Sequence, residues 1–288
     1  MFVLVLTGKC NNNCMFCYQD KNFSLDAEKA KSLISEAKER GEKLINFFGG
    51  EPTIHPNFFE LIRYVKDQGL GFSLNSNLRL LSYKRVAKSI VDLDPLLIQT
   101  SLHGHNPEVH DKLTRTEGSF QQVVKGVKNL LELGYDPNRI IVNTVITKQN
   151  MRHLEDIADF ILNDLKLPST KFSFMEIERE ALKNINKLLP KFRETYPFLE
   201  RAAKRAGRLD KRIVIEKGPL CFCPDMSNVS YIFERILIDS NKFIKRKSCS
   251  NCPSNRKCHG IHRNYIKLYP SDKLNKKELH RLNIIFRN

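Results

Sequence analysis

Strand-like and helical runs alternate along the first 177 residues of this 288-residue chain, and that alternation most narrows the folds open to it. β-rich runs occur at 2–7 (FVLVLT), 43–52 (KLINFFGGEP), 71–77 (GFSLNSN), 96–104 (LLIQTSLHG), 139–147 (RIIVNTVIT) and 171–177 (KFSFMEI). Helical patterns at 24–40, 56–69, 83–92, 119–134 and 151–165 separate them. In the first of these, Ser24 is the expected N-cap, and Leu33, Ile34 and Ala37 recur at helical spacing. Gly69 is the expected stop of the second. Strands with helices between them predict an α/β fold, a parallel sheet with helices outside. Six strands rather than eight predict a partial, TIM-like (β/α)6 barrel. Past residue 178 the regularity ends in a basic helical stretch (179–208), a hairpin strand around 229–239 and a cysteine-rich tail. The expected division is a core over 1–178, a basic helical connector over 179–212, and a small cysteine-rich α+β extension over 213–288.

Hydrophobic content of 41% is ample for a core. The longest early apolar run, MFVLVLT, is too short for a membrane span or a signal peptide, so a cytoplasmic protein with no membrane partner is expected. All 8 cysteines fall in two groups: Cys10, Cys14 and Cys17 at the front, and Cys221, Cys223, Cys249, Cys252 and Cys258 at the back. Structural disulfides would be spread more widely, so the clustering points to metal or iron–sulfur ligation in a reducing compartment. From Lys242 to Asn288 there are 13 Lys/Arg against 2 Asp/Glu, which is +11 of the formal +16. Such a tail suits an anionic partner, an acidic peptide or RNA, or equally a surface whose charge ligating thiolates partly cancel.

The front cysteines read C-x3-C-x2-C and follow the first strand directly. Three thiolates hold three irons of a [4Fe–4S] cluster, whose full set would be four cysteines. The fourth iron would then be open to an exogenous ligand. The competing reading is a zinc site completed by a remote Cys or His. In parallel α/β architectures sites form at the C-terminal strand ends. GGEP (49–52), NSN (75–77) and SLHGH (101–105) all sit at such ends, so these motifs are expected to converge on one cleft.

CNNNCMFC followed one β–α unit later by FFGGEP resembles the radical S-adenosylmethionine (SAM) superfamily, over residues 2 to about 177. The resemblance implies that SAM chelates the open iron and is reductively cleaved to methionine and a 5′-deoxyadenosyl radical, which abstracts hydrogen from a substrate. It makes Cys10, Cys14 and Cys17 the ligands of the catalytic cluster and puts Phe16 beside the adenine. Gly49, Gly50, Glu51 and Pro52 become the stretch that receives the methionyl ammonium, with glycines allowing close backbone approach and a carboxylate suited to an ammonium. Ser101 would lie near the ribose, Asn75 and Asn77 are looser candidates, and His103 and His105 are expected as solvated loop histidines. An external electron donor such as ferredoxin or flavodoxin is also implied.

At the back, CSNCPSNRKCHG (249–260) and GPLCFC (218–223) resemble the twitch extension of some radical SAM enzymes. That resemblance implies one auxiliary [4Fe–4S] cluster held by Cys249, Cys252, Cys258 and Cys221, with Cys223 competing for the last place. A structural zinc remains the competing reading, and His259 and His262 are expected as surface residues. Peptide or protein maturation is the expected role, with RNA, nucleotide or sugar modification as the alternative. A non-catalytic iron–sulfur or zinc nucleic-acid-binding protein would cleave no SAM. Because the first strand begins at residue 2, a peptide substrate is expected to need a separate carrier or the basic tail.

Overall fold

The computed structural model describes residues 1–223, 226–232 and 242–270. The segment 233–239 expected as strand, and the basic tail beyond residue 270, lie outside the described residues.

The expected β–α alternation is present. The strands are β1 (Phe2–Thr7), β2 (Leu44–Gly49), β3 (Gly71–Asn75), β4 (Leu97–Ser101), β5 (Ile140–Ile146) and β6 (Ser169–Phe174). Between them run α1 (Ala27–Glu39), α2 (Phe58–Asp67), α3 (Lys84–Asp92), α4 (Pro107–Thr114), α5 (Ser119–Glu132) and α6 (Leu154–Asp159). Asp26 rather than Ser24 caps α1, accepting from the Lys29 N–H, because Ser24 bridges back to Thr7. Gly69 does end α2, at a φ of +74° that a side chain would resist.

The sheet is wider than expected. Beyond β6 come α7 (Arg179–Lys183), α8 (Ile185–Leu188) and α9 (Phe192–Arg208), where one basic helical stretch was expected. Then β7 (Arg212–Glu216) and β8 (Val229–Ile232) join the same sheet, which runs in order from β1 to β8 with every neighbour parallel. The strand near 229 therefore forms no hairpin with β7. α9 lies in the long crossover from β6 to β7, and residues 217–228 give the length of chain that a parallel return to β8 needs. Past this point β9 (Phe243–Ile244) and β10 (Ile261–His262) pair antiparallel and lead into α10 (Arg263–Leu268). The architecture is a partial (β/α) barrel with a small α+β extension, two strands broader than the six anticipated.

Residue alternation gives the sheet two unlike faces. Leu4, Leu6, Ile45, Phe47, Phe72, Leu74, Ile98 and Phe172 are buried on the helix-covered face. Ile34 of α1, Leu61 and Val65 of α2, and Val127 and Leu130 of α5 belong to the same core. The opposite face is polar. Ser73 donates to Asn46 (3.0 Å), Lys171 reaches past β5 to Gln99 (2.8 Å), and Ser173 donates to Asn143 (2.6 Å) and Glu216 (2.8 Å). Lys171 and Glu216 form a buried ion pair at 3.4 Å.

Where β4 leaves the sheet, His103 and His110 stack with ring centroids 5.6 Å apart, and the His103 N–H donates to His110 Nδ1. His103 is 3% exposed, not solvated as expected, because the loop folds under α4. Burial pushes the His110 pKa down to about 4 and that of His103 well below the ordinary value. Between about pH 6.5 and 4 the unfolded chain binds a proton at His110 that the folded chain refuses. The contribution of His110 should thus be lost as pH drops through that window and be gone below it. At about 1.4 kcal/mol per pH unit the full effect of His110 is roughly 3 kcal/mol. Urea midpoints at pH 7 and pH 5 should show the loss, and His110→Gln should reduce it.

Candidate active site at the mouth of the barrel

The loop after β1 closes on itself at its base. The Gly8 N–H donates to Phe23 O (2.8 Å) and the Leu25 N–H to Leu6 O (2.9 Å). A Cβ at Gly8 would stand 1.6 Å from Asp20 O, so only glycine fits this crossing. Inside the loop, Asn13 and Met15 donate their N–H groups to Thr114 and Leu113 at the end of α4, and the Glu180 N–H of α7 donates to Cys17 O. Phe16 is buried, its ring edge-on to His103 at 4.6 Å. The three cysteines are thus carried on a loop laced to α4 and α7.

The GGEP turn packs against the root of that loop. The Gly50 N–H donates to Thr7 O (2.6 Å) and the Glu51 N–H to Lys9 O (2.9 Å). A Cβ at Gly49 would meet Thr7 O at 2.2 Å, and one at Gly50 would meet Lys9 O at 2.2 Å. The close approach these glycines permit is therefore loop against loop.

Glu51 is fully buried. Its Oε1 accepts from the Thr53 N–H (3.1 Å), the Thr53 hydroxyl (2.6 Å) and the Ser76 hydroxyl (2.8 Å), and its Oε2 from the Asn77 N–H (2.6 Å). Burial raises its pKa and these donors oppose the rise. The carboxylate expected to meet a ligand's ammonium is thus already ringed by donors from its own turn and from the loop after β3. Pro52 opens the one-turn 3-10 helix (Pro52–Ile54) that Glu51 caps. Asn75 and Ser101 stand half-buried at the ends of β3 and β4.

Asn77 links the third loop to the cysteines. Its side-chain amide donates to Asn11 Oδ1 (2.6 Å) and lies 3.6 Å from Cys10 Sγ, which also accepts from the Asn12 N–H (3.3 Å). Arg79 donates to the Asn11 carbonyl, to Asn12 Oδ1 (3.0 Å) and to Gln122 Oε1 (2.5 Å). The sequence reading missed Arg79; its place two residues beyond Asn77 in NSNLR was the available signal.

The two cysteine groups also gather. Cys10, Cys14 and Cys17 lie close enough that Cys10 and Cys14 are shifted by their neighbours. Burial foremost, then Glu51 and Cys17, pushes Cys10 up to about 11, and burial with Cys10 and Cys17 raises Cys14 further. At the back, Cys221 is raised by burial and by Cys258, Cys252 and Cys249. Cys223 is buried, with its thiol donating to Pro219 O (3.4 Å), and feels only Cys221 and Cys258 of that group. His262, expected at the surface, is 6% exposed because the extension covers it.

A tetrahedral zinc takes four ligands on one ion, whereas a four-iron cluster spreads its cysteines over different irons. Near neutral pH the raised thiols hold their protons, so loading must release them and is favoured as pH rises.

A family model described as the radical SAM superfamily matches residues 4–161. The chain belongs to the radical SAM superfamily. Its members are enzymes whose cofactors are a [4Fe–4S] cluster and SAM. The chain is 29% identical over 186 residues to Fe-coproporphyrin III synthase of Methanosarcina barkeri, covering 63% of this chain and 45% of that protein. It is 32% identical over 158 residues to the mycofactocin maturase MftC of Mycolicibacterium smegmatis, covering 53% of this chain and 39% of that one. The chain thus spans less than half the length of these relatives. Among solved structures, Streptococcus suis SuiB bound to S-adenosylmethionine superposes with a TM-score of 0.66 at 14% identity, over 96% of this chain and 76% of that one. The enzyme anSMEcpe with bound AdoMet and the Cp18Cys peptide gives 0.66 at 15% identity, over 99% of this chain and 94% of that one. Likeness at such low identity shows the shared fold. Among the described residues, no helix is long and apolar enough to cross a membrane.

Replacing Glu51 by Ala would leave Thr53, Ser76 and Asn77 donors buried without an acceptor, at about 3–5 kcal/mol. Urea unfolding of the Glu51→Ala protein should show that loss. Iron bound at the front cysteines after anaerobic loading should fall, with iron at the rear group retained.

Proposed function

We propose that this chain is a radical SAM enzyme of peptide or protein maturation, carrying one auxiliary iron–sulfur cluster. The observation that carries the proposal is the locking of the C-x3-C-x2-C loop to the GGEP and NSN loops at one end of the barrel, with Cys221, just past β7, in reach of Cys249, Cys252 and Cys258. When bound, the front cluster and SAM supply a 5′-deoxyadenosyl radical able to remove a hydrogen atom from substrate.

Cys10, Cys14 and Cys17 hold the front cluster, leaving one iron without a protein thiolate. The backbone of Gly49 to Pro52 with Asn75 and Ser101 offers the polar edge for SAM, and Phe16 an apolar one. Glu51 acts inside the protein, fixing the loops that carry those groups. Cys221, Cys249, Cys252 and Cys258 hold the auxiliary cluster, and the Gly260 N–H donates to Cys258 Sγ (3.4 Å), a bond of the kind that tunes such clusters. In functional terms a radical SAM core runs to about residue 178, a helical connector to about 212, and a twitch-type auxiliary unit follows, although the sheet crosses that line through β7 and β8. The peptide reading draws support from the fold shared with SuiB, solved bound to precursor peptide SuiA, and with anSMEcpe, solved with bound peptide. A one-electron donor, ferredoxin or flavodoxin, would supply the electron that the reductive cleavage of SAM consumes.

Anaerobic reconstitution should give about eight irons per chain, falling to about four in a Cys10/Cys14/Cys17→Ala variant. The reduced wild-type protein should form 5′-deoxyadenosine from SAM, and the variant should form none. Zinc at the rear would remove the auxiliary cluster from the proposal, and absence of iron at the front would remove the enzyme. Peptide and RNA substrates offered in parallel should separate maturation from nucleic-acid modification.

A further inference from the structure

The loop after β3 makes a turn that its packing holds in an uncommon shape. Leu78 stands at a φ of +56°, a left-handed conformation that leucine resists, and its side chain is fully buried. α5 comes so close that a Cβ at Gly126 would meet Leu78 O at 2.6 Å. The Leu78 N–H donates to Ser76 Oγ (3.0 Å), and the Ser76 hydroxyl in turn donates to Glu51. Backbone strain of this kind persists where the surroundings over-determine it. Here it aims the side chain of Asn77.

The orientation of that side chain is fixed. The Asn77 N–H donates to Glu51 Oε2 (2.6 Å), and Asn77 Oδ1 accepts from the Arg79 N–H (3.0 Å). Turning the amide over would set Nδ2 against the Arg79 N–H and Oδ1 against Asn11 Oδ1. Nδ2 therefore faces the cysteine loop, donating to Asn11 Oδ1 (2.6 Å) and reaching Cys10 Sγ (3.6 Å). Cys10 Sγ also accepts from the Asn12 N–H (3.3 Å), so its two donors come from different loops. The Asn12 donor moves with the cysteine loop. The Asn77 donor is anchored to Glu51 and stays where the barrel puts it.

Hydrogen bonds to the sulfurs of an iron–sulfur cluster raise its reduction potential, because donors stabilise the negative charge that an added electron brings. We propose that Asn77 is a positioning residue for the front cluster, its side-chain amide donating to the Cys10 thiolate and holding the potential of that cluster up. The inference rests on the reading of Cys10 as a ligand of the front cluster. Asn77 exchanges neither electron nor proton, and no bond forms or breaks. It sets how much of the protein the external one-electron donor can reduce.

The test is an EPR-monitored potentiometric titration of the anaerobically reconstituted full chain, following the signal that the Cys10/Cys14/Cys17→Ala variant lacks. Asn77→Ser keeps an oxygen for the Arg79 N–H but is too short to reach Cys10, and Asn77→Leu fills the same space with no donor. In both, the oxidised-to-reduced ratio at the wild-type midpoint should rise about tenfold, equivalent to about 59 mV for one electron. Asn12→Ala removes a contact with Arg79 from the same loop and leaves both donors to Cys10, so its potential should match the wild type. Iron per chain and thermal melts report folding and loading of each variant. A wild-type potential in either Asn77 variant would overturn the inference. So would an equal shift in Asn12→Ala, which would assign the effect to loop shape. Less iron with an unshifted potential would reduce Asn77 to a structural residue and overturn it too. A wild-type chain without iron at the front cysteines would remove the proposed function and this inference together, a result distinct from a loaded wild type with unshifted variants.

Discussion

The buried carboxylate of Glu51 is the interaction on which the rest of the mouth depends. A fully buried anion is tolerable only where donors surround it, and here they come from two loops. Thr53 belongs to the turn after β2, whereas Ser76 and Asn77 belong to the loop after β3. Asn77 and Arg79 then hold the asparagines of the cysteine loop. Three strand ends, each with its own motif, are joined in this way by hydrogen bonds radiating from one residue. A cluster-binding loop of polar residues has little apolar surface of its own to bury, so its shape has to be imposed from outside. The Glu51 network and the α4 and α7 contacts impose it.

The physical division of the sheet complements that arrangement. The helix-covered face is apolar and supplies stability, whereas the other face carries Asn46, Ser73, Gln99, Asn143, Lys171, Ser173 and Glu216 in mutual hydrogen bonds. Glu216 stays below the ordinary carboxylate range because Lys171 and Lys217 outweigh the burial that would raise it. A sheet face lined in this way carries polar groups whose charges are already balanced.

Much of this was legible in the sequence because it was local. Strand ends, the C-x3-C-x2-C spacing and GGEP occupy short stretches, and their order along the chain already implied a common mouth. What escaped depends on partners distant in sequence. Parallel pairing of β7 and β8 is set by crossover length and by the neighbouring strand, which no turn motif announces. His103 and His262 looked like loop histidines because nothing nearby revealed that α4 and the extension cover them. The donors around Glu51 escaped for the same reason: a carboxylate in a glycine turn suggests a ligand, and its partners within the protein lie up to 26 residues away.

β7 shows how the two halves of the protein are coupled. Its last residue, Glu216, belongs to the polar face of the sheet. The next, Lys217, pairs with Glu176 beyond the end of β6, and Cys221 follows four positions on. A division drawn at residue 213 by cysteine content would separate groups that the sheet holds together. Because ladder hydrogen bonds fix β7 against β6, Lys217 and Cys221 leave the sheet from a strand that is part of the barrel rather than of a separate unit.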